Sequence, residues 1–430
     1  MARWQQTAAA LDNAAAAQDF IIPPARLPTL PDQRQGWLLV LGLALVLCVI
    51  FGTTLNALGL FTLPISAALH SSSEQTARIA TAFMVSMTLA MPLAGWLLDR
   101  TAPRLVMTAG ATLAALGYLL AARSPDIDRL TLALALGGLG VGASTYVPAI
   151  TLATRWIAPE RQGLAFGVLL GGAAMGAVVF PIGLTHLIST LGWRDAMQAS
   201  AALILLVCVP LLLWLARLPD ASMTASRSAT EAVPGHDIGQ VLRMPRYWLW
   251  IAMQLLLTLS SLGIYIALVP YLVSAGYSAQ TAAVFYAGIG AAALAGNFLF
   301  GAVSHRWEAR NILLLGNAAG TAGILCLLVA PHPALGLLAV VAFSLSWGTT
   351  FNLVNQLSPL LLVQAMGQRN FGSLLGIGNL VAGLGSAFGP QLVGHLVDAT
   401  HSYTPALLLC AALAASASLP IALQGRRHVG

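Results

Sequence analysis

GWLLDRTAPR, residues 95–104, and GAVSHRWEAR, residues 301–310, are two versions of one turn placed 206 residues apart. Each opens on Gly, carries an ionisable side chain four positions later (Asp99, His305) and follows it with Arg100 or Arg306. Each closes on Arg104 or Arg310, nine positions after the Gly. Both turns interrupt long apolar runs, so a hydrophobic helix ends, a charged turn follows and another hydrophobic helix begins. The match extends outward. At an offset of 209, Gly163 pairs with Gly372, Gly167 with Gly376, Gly176 with Gly385, Pro181 with Pro390 and His186 with His395. Agreement in register over two separate regions marks an internal duplication, and a duplication fixes the architecture as two similar halves.

Composition says what the halves are made of. Of 430 residues, 58% are hydrophobic and 8% charged, against roughly 25% charged in a soluble domain. A bilayer core needs about 20 apolar residues per helix, and twelve such stretches free of Asp, Glu and Arg run between residues 37 and 423. The fold class expected is an all-α membrane protein with twelve transmembrane helices in two pseudo-symmetric six-helix bundles. Its parts are a tail over 1–36, an N-terminal bundle over 37–216, a polar connector over 217–246, a C-terminal bundle over 247–423 and a short tail over 424–430.

All twenty basic residues are Arg, so Schiff-base, P-loop and lysine-base chemistry are excluded. If residue 1 is cytoplasmic, sixteen Arg lie in inside segments and only Arg78, Arg123, Arg129 and Arg194 lie outside. That asymmetry is the positive-inside signal, and it places both termini in the cytoplasm of a multi-pass plasma-membrane protein, a bacterial inner membrane being the expected one. It also accounts for the net charge of +6 without a nucleic-acid partner. The first 36 residues lack the basic-then-apolar order of a cleaved leader. Cys48, Cys208, Cys326 and Cys410 each sit alone in an apolar run and read as small buried hydrophobes rather than disulfides or metal ligands. No Walker loop, HExxH or CxxC pair is present. No enzyme activity, cofactor or metal is expected.

Twelve helices in two halves with a long connector and a charged turn between the second and third spans resemble the major facilitator superfamily. Gly95, Leu97, Asp99, Arg100 and Arg104 match that family's turn motif, while the second copy replaces the acid with His305. A narrower resemblance is to its monocarboxylate-transporter-like and oxalate/formate-exchanger-like branch. It rests on GLFTLPI (59–65), RWIAPERQGLAFGVLLGGAAMGAVVFP (155–181), LGWRDA (191–196), GQRNFGSLLGIGN (367–379) and GPQLVGHLVDATHSY (389–403). The resemblance implies a cytoplasmic gate, with the Asp99 carboxylate paired to Arg and facing a helix amino terminus of the other half. Asp99, Arg100, Arg104, Arg155, Arg306 and Arg310 are its candidate members. The branch places an Arg in the middle of the eighth span to hold a carboxylate; here Asn297 aligns with that position, and no span carries a charge. The resemblance also implies a monomer.

Polar groups at mid-membrane are costly unless they face a cavity or one another. On that ground the candidate substrate contacts are Asn56, in the first span beside Thr53 and Thr54; Tyr146, in the fourth; Tyr265, in the seventh near Ser260 and Ser261; Asn297; and Trp347, in the polar run Ser344 to Gln356. Each has a plainer reading as an interhelical bond or a packed side chain. The Gly rows of the fifth and eleventh spans read as close-packing surfaces. His186 and His395 read as polar helix ends at the outer side, since neither has an acid partner in sequence.

The function expected is secondary transport of a small organic solute by alternating access, with a monocarboxylate-like organic anion leading and a multidrug or neutral-solute exporter as the alternative. A membrane sensor on the same scaffold is the reading from a different class. The partners expected are the solute, the lipid bilayer, and a proton or counter-substrate; the coupling group is not visible in the spans.

Overall fold

The computed structural model describes residues 33–71, 73–216 and 237–424. The tail before residue 33, most of the connector and the last six residues lie outside these, together with the Arg residues they carry. Twelve helices are long and apolar enough to cross a bilayer. They are α1 (Gln33–Leu69), α2 (Arg78–Leu98), α3 (Pro103–Ala122), α4 (Ile127–Trp156), α5 (Pro159–Leu191) and α6 (Trp193–Leu215), then α7 (Pro245–Ser274), α8 (Gln280–Val303), α9 (Ala309–Val329), α10 (Gly336–Met366), α11 (Phe371–Thr400) and α12 (Thr404–Leu423). Several run past the stretches expected from hydropathy. α5, for instance, begins at Pro159 rather than Gly163, because helical hydrogen bonding continues through polar residues beyond the apolar core.

Each half packs its helices through small residues, as expected where lipid removes the hydrophobic drive and backbone proximity supplies dispersion contact. A Cβ added to Gly117 of α3 would lie 2.4 Å from the Gly137 backbone of α4, and one on Gly142 of α4 would lie 2.2 Å from the Met87 carbonyl oxygen of α2. In the C-terminal half Tyr247 and Trp250 of α7 stack with centroids 5.8 Å apart. Their polar tips bind the Leu374 carbonyl of α11 and the Ser358 carbonyl of α10, each at 2.9 Å. Large apolar side chains such as Leu132, Leu206 and Leu338 project outward, the surface a bilayer covers.

Three helices are broken near their middles, and each break follows two adjacent hydroxyl residues. In α1, Thr53 and Thr54 donate back to the carbonyls of Val49 and Ile50 (2.7 and 2.5 Å), and a short 3-10 turn, Leu55–Ala57, follows. In α4, Ser144 and Thr145 donate to Gly140 and Val141 (2.8 and 2.7 Å), and the helix restarts at Tyr146. In α10, Thr349 and Thr350 donate to Leu345 and Ser346 (2.8 and 3.1 Å), and the helix restarts at Leu353. Such back-bonding competes with the i→i−4 ladder and bends helices. In α4, Pro148 adds to it by denying the Ser144 carbonyl a donor. The corresponding pair in α7, Ser260 and Ser261, leaves that helix continuous; Ser260 donates instead to the Cys410 carbonyl of α12 at 2.8 Å.

Candidate functional site

The two halves meet along two crossings, α2 on α11 and α5 on α8, and both contacts lie toward the Asp99 end. A Cβ on Gly95 would stand 2.0 Å from the Gly372 carbonyl oxygen, one on Gly376 2.6 Å from Pro92, and one on Gly383 2.3 Å from Thr88. At the second crossing, a Cβ on Gly163 would stand 2.0 Å from the Ser304 hydroxyl, one on Gly167 2.4 Å from the Asn297 carbonyl oxygen and one on Gly171 3.0 Å from the Phe298 ring. The same faces then diverge. Continuing along α5 at helical spacing, Met175, Val178 and Ile182 are exposed, Ile182 at 73%. On the partner helices Gly290 of α8 and Gly394 of α11 have no neighbour within 4 Å of where a Cβ would sit. The molecule is therefore closed at the Asp99 end and open, as an apolar cleft, at the other.

The inter-half hydrogen bonds made by Asp99, Gln356, Tyr146 and Gln368 all lie at the closed end. Asp99 accepts from the Gly372 and Ser373 backbone N–H groups (3.2 and 2.8 Å) and from the Ser373 hydroxyl (2.7 Å). It thereby caps the amino end of α11, where unpaired N–H groups and the helix dipole favour a negative charge. Arg155 of α4 lies 3.5 Å from the same carboxylate, whose side chain is only 7% exposed. Gln356 of α10 donates to the Gly163 carbonyl of α5 and the Asn297 carbonyl of α8 (3.1 and 2.9 Å). The Tyr146 hydroxyl donates to the Asn355 carbonyl at 2.5 Å, and Gln368 to the Thr154 carbonyl at 3.4 Å.

Of the six gate candidates, the structure brings Asp99 and Arg155 together. Arg100 lies instead over the Trp96 ring, 4.1 Å from its centroid, and Arg104 is exposed without a polar partner among the described residues. Arg306 contacts the neighbouring His305 ring at 3.2 Å, whose other nitrogen faces the Ala302 carbonyl. Arg310 donates to the Ala422 carbonyl of α12 at 2.8 Å. The second copy of the turn thus lacks a carboxylate for the opposite helix, and Gln356 supplies the polar tie at that crossing.

The five solute candidates also separate. Asn56 stands exposed in the break of α1. Tyr265 is half-buried at the head of an aromatic group, its centroid 4.5 Å from Tyr286, 5.0 Å from Phe351 and 6.5 Å from Trp347. Trp347 itself is 3% exposed and packs on Phe343 at 5.1 Å, so it backs the cluster rather than facing solvent. Tyr146 is buried with its hydroxyl committed across the halves. Asn297 is 1% exposed, and its amide nitrogen has no partner; it sits beneath the α5 crossing, on the closed side. Gln391 of α11, exposed near the diverging end of the α2 crossing face, was not legible from sequence because its polarity is ordinary and only the crossing geometry singles it out. His186 and His395 are both exposed.

The family model described as Major Facilitator Superfamily matches residues 42–390. The chain belongs to this superfamily. Among curated relatives, human monocarboxylate transporter 12 is 26% identical over 90% of this chain and 80% of its own length, and bovine monocarboxylate transporter 13 is 26% identical over 89% and 87%. The uncharacterized MFS-type transporter YhjX of Escherichia coli K12 is 25% identical over 82% and 86%. These similarities bear out the monocarboxylate-transporter-like branch expected from the sequence. In fold, the E. coli fucose:proton symporter FucP superposes with TM-score 0.69 at 16% identity, covering 90% of this chain and 98% of that one. The proton:xylose symporter XylE superposes with TM-score 0.68 at 12% identity, covering 90% and 94%. The superfamily member is a multi-pass membrane transporter, not an enzyme.

Proposed function

We propose that this protein is a secondary transporter that moves a small monocarboxylate-like organic solute across the plasma membrane by alternating access, acting as a monomer with both termini in the cytoplasm. The observation that carries the mechanism is the one-sided seam. The ties of Asp99, Gln356, Tyr146 and Gln368 between the halves lie together at the Asp99 end, and the opposite end is a cleft between the same helices. Placing the Asp99 end in the cytoplasm, as the Arg distribution directs, makes this an outward-open state. Rocking the halves to open the inner side breaks the Asp99, Gln356 and Tyr146 ties together, and solute binding shifts the balance only through unequal affinity for the two states.

The solute class draws its support from the full-length similarity to monocarboxylate transporters. With Asn297 where a cation would stand, the carboxylate meets neutral donors, Asn56 and Tyr265, on the outward side. A second reading, a neutral aromatic or polar solute, is favoured by the absence of Arg from the cleft-lining faces and by the Tyr265, Tyr286 and Phe351 group. Purified protein in liposomes, tested for saturable uptake and counterflow of labelled short-chain monocarboxylates and of uncharged analogues, separates the two. Counterflow by carboxylates supports the leading reading, counterflow by amides alone replaces it with the second, and no counterflow by any solute overturns transport.

A further inference from the structure

Between α7, α9, α10 and α12, inside the C-terminal half and apart from the inter-half cleft, lies a cavity of about 60 Å³. In a membrane interior such a space is usually apolar, yet its wall carries Thr258, Ser260, Ser261, Asn317, Thr321 and Thr350. The hydrogen-bond inventory of these groups has a definite sense. Thr258 spends its proton on the Gln254 carbonyl (2.8 Å), Ser260 on Cys410 (2.8 Å), Thr321 on Asn317 (2.8 Å) and Thr350 on Ser346 (3.1 Å). The Asn317 amide nitrogen is used twice, toward the Ala414 carbonyl (2.7 Å) and the Ser418 hydroxyl (2.9 Å). Thr258, Ser260, Thr321, Thr350 and Asn317 therefore have lone pairs left to turn inward, and the Ser261 hydroxyl, bound to no other group among the described residues, can turn its oxygen inward as well.

A second observation points the same way. α10 breaks directly at this wall, and its first half ends at Thr350. The carbonyl end of a helix carries partial negative charge, and half-helix ends at mid-membrane are where transporters hold coupling cations. Hard cations take oxygen ligands; with no carboxylate on the wall, the site cannot offset the dehydration of a divalent ion, which leaves a monovalent one. One turn along α7, the fully buried Gln254 side chain has no partner for either polar atom, a further oxygen within the same half.

We propose that this cavity is a sodium site, held by the Ser261 and Thr350 hydroxyl oxygens and the Asn317 amide oxygen at the end of the first half of α10. Its use for coupling rests on the transport reading; its existence does not. Trp347 and Phe351 line both this cavity and the aromatic group against Tyr265. Asn355, also on the wall, is the residue whose carbonyl receives the Tyr146 bond. Ion occupancy thus bears on the cleft wall and on the seam at once, which supplies a coupling route for a chain whose spans hold no titratable carboxylate at mid-membrane.

The test is thermal unfolding of the full chain in detergent at fixed ionic strength, exchanging choline chloride for sodium chloride. A bound ligand raises the midpoint in a saturable way, so sodium should do so where choline does not, and Thr350→Val and Ser261→Ala should each raise the half-saturating sodium concentration at least about tenfold. Identical midpoints in sodium and choline, read on the unaltered protein and independent of any variant, overturn the proposal, as does an unchanged sodium response in both variants. In liposomes, solute uptake indifferent to a sodium gradient overturns the coupling role while leaving transport standing. Loss of all uptake with sodium stabilisation intact overturns the transport reading instead.

Discussion

Ser373 gives Asp99 two hydrogen bonds at once, from its backbone N–H at 2.8 Å and its hydroxyl at 2.7 Å, across 274 positions of chain and across the boundary between the halves. Asp99 ends a helix of the first half and caps a helix of the second, with Arg155 at 3.5 Å completing the charge balance. This relationship stabilises only one of the two states that alternating access requires, because the cap and the carboxylate separate when this end opens.

Asp99→Asn keeps the side chain's shape and removes its charge. A charge at a helix amino end contributes roughly 1 kcal/mol, so the closed form of this end should lose about fivefold in population relative to the open form. Distances measured between spin labels on α2 and α11 should show the shift, with transport slowed and membrane insertion normal. An unchanged distance distribution would remove Asp99 from the gate.

Gly95→Ala probes the same seam by shape. The added Cβ would meet the Gly372 carbonyl oxygen at 2.0 Å, a separation that neither backbone can accept without moving. The variant should insert and stay folded, yet lose more than about tenfold in uptake because the inner seam no longer closes; overpacking costs of about 1–3 kcal/mol set that scale. Wild-type uptake by this variant is the outcome that counts against the crossing.

Tyr146→Phe distinguishes a seam bond from a solute contact. Deleting one hydrogen bond worth about 1 kcal/mol from the closed state should raise the open population at this end about fivefold. The half-saturating solute concentration, read from the outward side, should change less than about twofold. A tenfold rise in that concentration would instead return Tyr146 to the solute site.

Asn56→Leu and Tyr265→Leu test the proposed outward solute contacts. Each removes a neutral donor, and a hydrogen bond to a charged group is worth about 1.5–3 kcal/mol, so each should raise the half-saturating concentration of a transported monocarboxylate at least about tenfold. Equal effects on an uncharged analogue would favour the neutral-solute reading.

Sidedness is checked by labelling. In a background without the four native cysteines, Ile182→Cys lies on the open cleft face and Met91→Cys stands at the seam beside Gly376, 9% exposed. A membrane-impermeant thiol reagent applied outside intact cells should modify the first and spare the second. The reverse pattern would invert the proposed orientation.

The sequence by itself determined whatever depends on composition and on neighbours along one helix. Twelve spans followed from where charge is absent, since lipid admits only segments that satisfy their own backbone. The duplicated turn, Gly95 to Arg104 and Gly301 to Arg310, followed from register. The helix breaks are local only in part: Thr53 with Thr54, Ser144 with Thr145 and Thr349 with Thr350 bond to carbonyls four residues back, whereas Ser260 of the equivalent α7 pair bonds to Cys410 of α12 and that helix stays continuous. What only the tertiary structure decided is which polar groups find each other. Tyr146 and Asn56 look alike as mid-membrane candidates, but the hydroxyl of one is fixed to Asn355 while the other stands exposed. Gln356, one residue in a polar run, turns out to join α5, α8 and α10. Arg155 and Ser373 converge on Asp99, while Arg100, Arg306 and Arg310 find other partners and Arg104 finds none among the described residues. The physical reason is that hydrogen bonds and van der Waals crossings between the halves depend on ångström-scale approach of helices hundreds of residues apart, a quantity that hydropathy and spacing do not encode.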